Sequence, residues 1–235
     1  MNRPFLQAHW SNVAIISYAV PESVLLPYLP RGCELDTLRG LPHVSVVAFD
    51  FEDTRVRGFH IPFHVDFPEI NLRFYVRHKG QRGVCFIREF VPRSLVSLVA
   101  RTIYNEPYQT LCMSSTAKRV ADGTHFEHNF RVDGHRQRIT VAVTQQAPHL
   151  LDPASDEAWF KEHEWGFGTD RAGHTLRYRV AHPTWLTWRV AWHRVHMDFA
   201  RTYGPQWAFL GEQEPTNVLV AEGSGVTVFE GTKVA

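Results

Sequence analysis

The sequence predicts a mostly-β chain in which helix is a minor component, and three observations carry that expectation. Segments alternating apolar and polar residues recur at short spacing along almost the whole length. Only one segment carries an apolar stripe of helical period. Turn signals separate the alternating segments, and no repeat, low-complexity tract or Pro/Ser-rich linker divides the 235 residues. A single domain over 1–235, built as an antiparallel β-sandwich or barrel, follows from these. With 44% hydrophobic residues the chain can bury a sizeable core.

The elements follow in order. Residues 11–19 alternate as a first strand, with Val13, Ile15, Ser17 and Ala19 on one side. Pro21-Glu22 opens a short helix through Leu29, because Pro suits a first turn and Glu the N-terminal dipole. Pro30-Arg31-Gly32 ends it. His43 to Phe51 is almost continuously apolar and reads as a strand buried on both faces, followed by a polar loop at 52–58. Strand 66–77 turns through His78-Lys79-Gly80-Gln81 into strand 83–91. Pro92-Arg93-Ser94 begins the one strong helix, striped by Leu95, Val96, Leu98, Val99, Ile103 and Tyr104, and Pro107 stops it.

Strands 110–120 and 125–132 flank the turn Ala121-Asp122-Gly123, and Asp133-Gly134 leads to strand 137–145. Pro148 to Ser155 is loop, and Asp156 to Phe160 forms a capped helical turn. Further strands are expected at 164–169, 174–182, 186–197 and 217–229, with a helical turn within 198–211.

Composition narrows the function classes. Lys+Arg 25 against Asp+Glu 24 gives a formal charge of +1, so no long-range attraction to nucleic acid or an anionic membrane is expected. No apolar run reaches the roughly 18 residues that span a bilayer, and no signal peptide is visible. Cys33, Cys85 and Cys112 have no paired spacing, which fits a reducing, cytoplasmic setting. Lysine chemistry is limited to Lys79, Lys118, Lys161 and Lys233.

Metal and nucleophile motifs are weak. His125/His128 and His193/His196 are three apart and point to opposite faces of a strand, and His60/His64 lie in a less regular segment. No metal site and no cofactor-binding motif is expected. Ser114-Ser115 lacks a nucleophile elbow, and Gly223-Ser224-Gly225 opens no helix. Trp185, Trp188 and Trp192 can stack a ligand ring or pack a core edge.

The row Glu69, Asn71, Arg73 and Tyr75 is different. These four share one face of strand 66–77, opposite Leu72, Phe74 and Val76. Successive members stand about 7 Å apart, so long side chains can converge on a small anionic or carbonyl compound. Arg can hold a carboxylate through two bonds, and a glutamate in a dry cavity can act as acid or base. The competing reading is a charge ladder on a wet sheet face.

The order Glu69-x-Asn71-x-Arg73-Phe74-Tyr75-Val76, Arg82-Gly83-Val84-x-Phe86, Ala100-Arg101 and Pro107-Tyr108 resembles the YqjF-like DUF2071 family. Trp10, Val20-Pro21, Leu29-Pro30-x-Gly32-x-Glu34-x-Asp36, Trp165-Gly166-Phe167 and Val180-x-His182-Pro183-x-Trp185 extend the resemblance from about residue 6 to 229. The family is similar to acetoacetate decarboxylase, which implies an antiparallel β-barrel or sandwich with a central cavity and a few helices. It also implies that Glu69 stands at the acidic position of the decarboxylase site.

Where that enzyme carries its imine-forming lysine, after the helix, this chain reads Cys112-Met113-Ser114-Ser115. The nearest amine is Lys118, beside Arg119 and close to the Asp122-Gly123 turn. The first expectation is therefore a cavity protein for a small carboxylate or carbonyl ligand, with a lyase- or hydratase-like reaction that needs no lysine. Glu69 is its acid/base, Arg73 its anion clamp, and Asn71, Tyr75 and His182 are orienting hydrogen-bonders. A non-catalytic ligand sensor or assembly module on the same fold is one alternative. A Schiff-base decarboxylase using Lys118 is another. The partner expected is a small molecule, with no nucleic acid or membrane, and a homo-oligomer is compatible.

Overall fold

The computed structural model describes residues 3–93 and 107–234. Its strands are β1 (Pro4–Ala19), β2 (Cys33–Leu35), β3 (His43–Val56), β4 (Phe59–His60), β5 (Phe67–His78) and β6 (Gln81–Val91). Then come β7 (Tyr108–Thr110), β8 (Met113–Val120), β9 (Gly123–Val132) and β10 (His135–Thr144), followed by helix α1 (Asp156–Lys161). Strands β11 (Trp165–Thr169), β12 (Thr175–Ala181), β13 (Thr187–Trp188) and β14 (Val190–His196) precede α2 (Phe199–Tyr203). The chain closes with β15 (Asn217–Phe229) and β16 (Thr232–Lys233).

Two sheets result. The larger runs β13-β15-β1-β3-β5-β6-β11-β12-β16, and the smaller runs β14-β10-β9-β8. The larger sheet curls until β12 meets the end of β15 at Val180–Val228 and Ala181–Thr227. It is not a closed barrel, since β6 and β11 share only the parallel pair Val84–Gly166. Mostly-β architecture with short helices is thus what the alternating sequence produces.

Several boundaries differ from expectation, each for a local reason. The predicted helix 21–29 is two 3₁₀ turns, Glu22–Val24 and Leu26–Tyr28, because Pro27 lacks the N–H that a continuous helix needs. The polar stretch 52–56 stays in β3, and the turn comes at Arg57-Gly58, both with positive φ. Segment 110–120 is divided: β7 joins the larger sheet and β8 the smaller one. The predicted helix after Pro92 lies outside the described residues.

Both faces of β5 are buried, which sets the two layers. Ile70, Leu72, Phe74 and Val76 pack with Phe126, Phe130, Ile139 and Val141 of the smaller sheet. Burying each such side chain is worth about 1.5–3 kcal/mol. On the other face, Tyr75 joins Phe49, Phe51, Phe67 and Trp185. The polar row therefore points into the protein, on the side away from the smaller sheet.

One glycine allows a close approach between β1 and β15. Gly223 lies in β15 opposite Ser11, at φ +84, and a Cβ there would stand 1.9 Å from the Trp10 carbonyl oxygen. Gly223→Ala should cost about 3 kcal/mol or more, from left-handed strain plus a backbone clash. Urea denaturation reads the loss directly; a change below about 1 kcal/mol would contradict the close approach.

Candidate functional site

The curled sheet encloses a cavity of about 150 Å³. A dry cavity of about that size elsewhere admits a benzene-sized molecule, so the space suits a compound of about six non-hydrogen atoms. Its apolar wall includes Trp10, Phe49, Phe51, Phe67 and Trp185. The ring centroids of Trp10 lie 4.8 Å from Phe49 and 6.1 Å from Trp185. Strand pairing brings these rings together, because Trp10 stands opposite Phe51 across β1 and β3.

The polar wall begins on β5. Glu69, Asn71 and Arg73 all line the cavity, as their shared strand face requires. Glu69 is 2% exposed. Asn71 Nδ2 donates to Glu69 Oε1 at 3.0 Å, and Tyr108 OH donates to Oε2 at 3.0 Å. Burial pushes the Glu69 carboxyl up to about 7, and the two donors pull only partly in the other direction. The same burial, with Glu69 and Glu89 nearby, holds the Tyr108 phenol well above its ordinary value, so it stays a donor.

Tyr108 reaches this place because β7 runs parallel to β6, pairing Glu89 with Tyr108. Glu89 in turn stands opposite Asn71 and lines the cavity as a second buried carboxyl. Phe86 also lines it. Residues three apart share this wall because the β5–β6 register slips between Leu72 and Arg73, a bulge that skips Ile87.

The cationic side comes from β5 and α1. Ser155 caps α1, its Oγ accepting from Ala158 N–H, with Asp156 and Glu157 in the first turn. This short helix delivers Lys161, whose side chain is 1% exposed, to the cavity wall. Lys161 Nζ pairs with Glu162 and donates to the Trp185 carbonyl at 2.9 Å. Arg73 Nη2 donates to the Phe160 carbonyl at 3.0 Å. Among the described residues, Arg73 Nε and Asn71 Oδ1 are buried without a hydrogen-bond partner. A buried polar atom left so costs about 1–3 kcal/mol, which a bound polar ligand would recover.

His163 follows on the same wall. Burial, reinforced by Arg73 and Arg82, holds its imidazole well below the usual histidine range, so it is neutral. Its Nε2 lies 2.9 Å from the Trp159 carbonyl, which can only accept. The proton is therefore on Nε2, and Nδ1 keeps its lone pair.

Not every expected site residue reaches the cavity. Tyr75 is buried but does not line it. Its hydroxyl lies 2.5 Å from Ser45 Oγ and donates to the Phe160 carbonyl at 3.3 Å, so it fastens α1 to the sheet. Tyr75→Phe should cost about 1 kcal/mol of stability and leave ligand affinity within about twofold; a tenfold affinity loss would assign Tyr75 to the ligand instead. His182 does line the cavity, half-buried and stacked on Trp185 at 4.0 Å. Its Nδ1 lies 2.9 Å from the Pro183 carbonyl.

Lys118 is exposed on β8 of the smaller sheet, paired across to His125. It does not line the cavity, because its strand leaves the larger sheet before reaching it. The amine that does line it, Lys161, follows Trp159-Phe160 in a helical turn whose sequence gives no sign of which residue faces inward. Glu89 and His163 are likewise not singled out by sequence, and Tyr108 stands only in the Pro107-Tyr108 motif with no role assigned. Among the described residues, no group of three His, Cys, Asp or Glu is placed to hold a metal ion. None of the described helices is long and apolar enough to cross a membrane.

The chain matches DUF2071, described as an uncharacterised conserved protein, over residues 7–225. It is 36% identical over 179 residues to the uncharacterised protein YqjF of Bacillus subtilis strain 168, spanning 75% of this chain and 72% of that one. Among solved structures it resembles the enduracididine biosynthesis enzyme MppR complexed with pyruvate. That superposition has a TM-score of 0.69 at 14% identity and covers 100% of this chain and 91% of the other. It also resembles acetoacetate decarboxylase from Legionella pneumophila, at a TM-score of 0.66, 16% identity and coverage of 100% and 88%. At such identities the two solved structures establish the fold.

Proposed function

The chain belongs to the DUF2071 family, and we propose that its cavity binds a small compound carrying a carboxylate or carbonyl group. One observation carries the reading. A buried glutamic acid, its carboxyl pushed up to about 7 by burial, shares a cavity of about 150 Å³ with a buried lysine and an arginine. The Lys161 and Arg73 side takes the carboxylate, since charge-assisted bonds in a dry site are the strong ones. The Glu69 side meets the carbonyl or hydroxyl end. Near neutral pH its carboxyl is present in both forms, which suits reversible proton transfer next to a carbonyl. The resulting reaction is of the lyase or hydratase kind, through enolisation. The same binding without turnover would make the protein a ligand sensor.

A second reading has a specific observation behind it, the burial of Lys161 in the cavity wall. If Glu162 takes its proton, the neutral Nζ can add to the ligand carbonyl carbon. The former carbonyl oxygen takes one proton from that nitrogen and a second from Glu69, leaves as water, and an iminium remains. Borohydride reduction in the presence of pyruvate would fix this species as a stable mass increase on Lys161; bound pyruvate with no adduct would leave the acid/base reading alone.

Calorimetric titration separates the ligand classes. Pyruvate and acetoacetate should bind the wild-type chain, and acetone, without the carboxylate, at least about tenfold more weakly. Equal binding of acetone, or no binding of either acid, would overturn the assignment.

A further inference from the structure

The smaller sheet presents a second site of different chemistry. Its inner face is mostly apolar, with Phe126, Phe130, Ile139 and Val141 buried beside His128 and Gln137. On the outer face, Arg131 stands opposite Arg136, and Asn129 opposite Arg138. Across the next strand pair, Arg138 faces His196 and Thr140 faces Arg194. A groove of about 650 Å³ lies among these residues. Four guanidiniums thus spring from a patch about 14 Å along the strands and about 10 Å across, close enough for their long side chains to converge.

The patch is poorly neutralised. Of the four, only Arg138 makes an ion pair among the described residues, with Glu127 at 3.6 Å. Asp133, in the adjoining turn, is paired with Arg201 at 3.8 Å. The whole chain carries a formal charge of only +1, so this is a local separation of charge and not a basic protein's average surface. Like charges facing each other across strands are unfavourable until an anion joins them.

We propose that this groove binds a compound bearing two or more adjacent phosphoryl groups. Arginine presents a planar fork that takes phosphate oxygens in pairs, and all four cations lining the groove are arginines. The patch is also compact. Along the same face, Glu127 and Thr116 separate Arg131, Arg136 and Arg138 from Lys118 and His125, while Arg194, in the row of Glu127 and Thr140, has Ala142 and Trp192 in the next row. A short polyphosphate matches that outline; an extended nucleic-acid strand needs a continuous basic track.

Titration calorimetry on the full chain with sodium tripolyphosphate, at roughly 0.15 M salt, tests this. Tripolyphosphate should bind one per chain, at least about tenfold more tightly than orthophosphate, and pyruvate should not displace it. The double substitution Arg136→Ala/Arg194→Ala, at two exposed positions, should lower affinity at least about tenfold while the thermal unfolding temperature does not fall. The charge-retaining Arg136→Lys/Arg194→Lys variant should fall between the two. Absent binding, equal affinity for orthophosphate, or an affinity untouched by the alanine pair would each overturn the proposal. So would a single-stranded oligonucleotide whose affinity keeps rising with length beyond the groove.

Discussion

Glu69→Gln should make the protein more stable above pH 7, by about 3 kcal/mol, and by less than about 1 kcal/mol at pH 5. Burial raises the folded-state value from 4.5 to about 7, so the unfolded chain is the stronger acid. Wild-type stability is therefore complete below about 4.5, falls as pH rises through this interval, and levels off above about 7. Glutamine has no proton to lose and escapes that fall. Its Oε1 still accepts from Asn71, and its amide can donate to the Tyr108 oxygen. In thermal melts the variant should gain about 6–12 °C at pH 8. Equal gains at pH 5 and pH 8, or a loss at pH 8, would mean that Glu69 is not held protonated by its surroundings. The gain is expected to come with lost proton transfer, since an amide cannot replace a carboxyl as acid or base.

Lys161→Met should weaken pyruvate binding by about 30–100-fold, the worth of one charge-assisted bond in a dry site. Stability should change far less, within about 1 kcal/mol. Methionine fills a similar volume without desolvating an ammonium, and Glu162, whose side chain is 37% exposed, can return to water. The split between affinity and stability is the informative part. A variant that melts normally and still binds pyruvate at wild-type affinity would place the carboxylate elsewhere and leave Lys161 a structural tie to the Trp185 carbonyl.

The sequence makes part of this site legible because β5 is a strict two-residue repeat. Once Leu72, Phe74 and Val76 are assigned to the core, Glu69, Asn71 and Arg73 must share the other face. The same rule misleads at Tyr75, since a shared face does not mean a shared cavity. There α1 covers the strand and takes the phenol into the helix–sheet contact. On β6 the rule fails outright. Phe86 and Glu89 line one wall only because a bulge breaks the alternation, and a bulge depends on the partner strand. Lys161, one of four lysines in the sequence, could not be assigned to the cavity for another reason. A six-residue helix has too few turns for an apolar stripe to declare its inner side, so burial of its lysine is decided by packing against β1 and β15. Residues 110–120 read as one strand because the passage from β7 to β8 changes sheets without a turn residue to mark it.

A crystal structure of the full chain grown with pyruvate would locate the ligand without reference to any assumed reaction. It should show one pyruvate inside the cavity, its carboxylate within hydrogen-bond distance of Lys161 Nζ or Arg73 Nε and its ketone oxygen toward Glu69. Pyruvate found only outside the cavity, or lying with its carboxylate against Glu69 and Glu89, would contradict the assignment of the cationic and acidic walls.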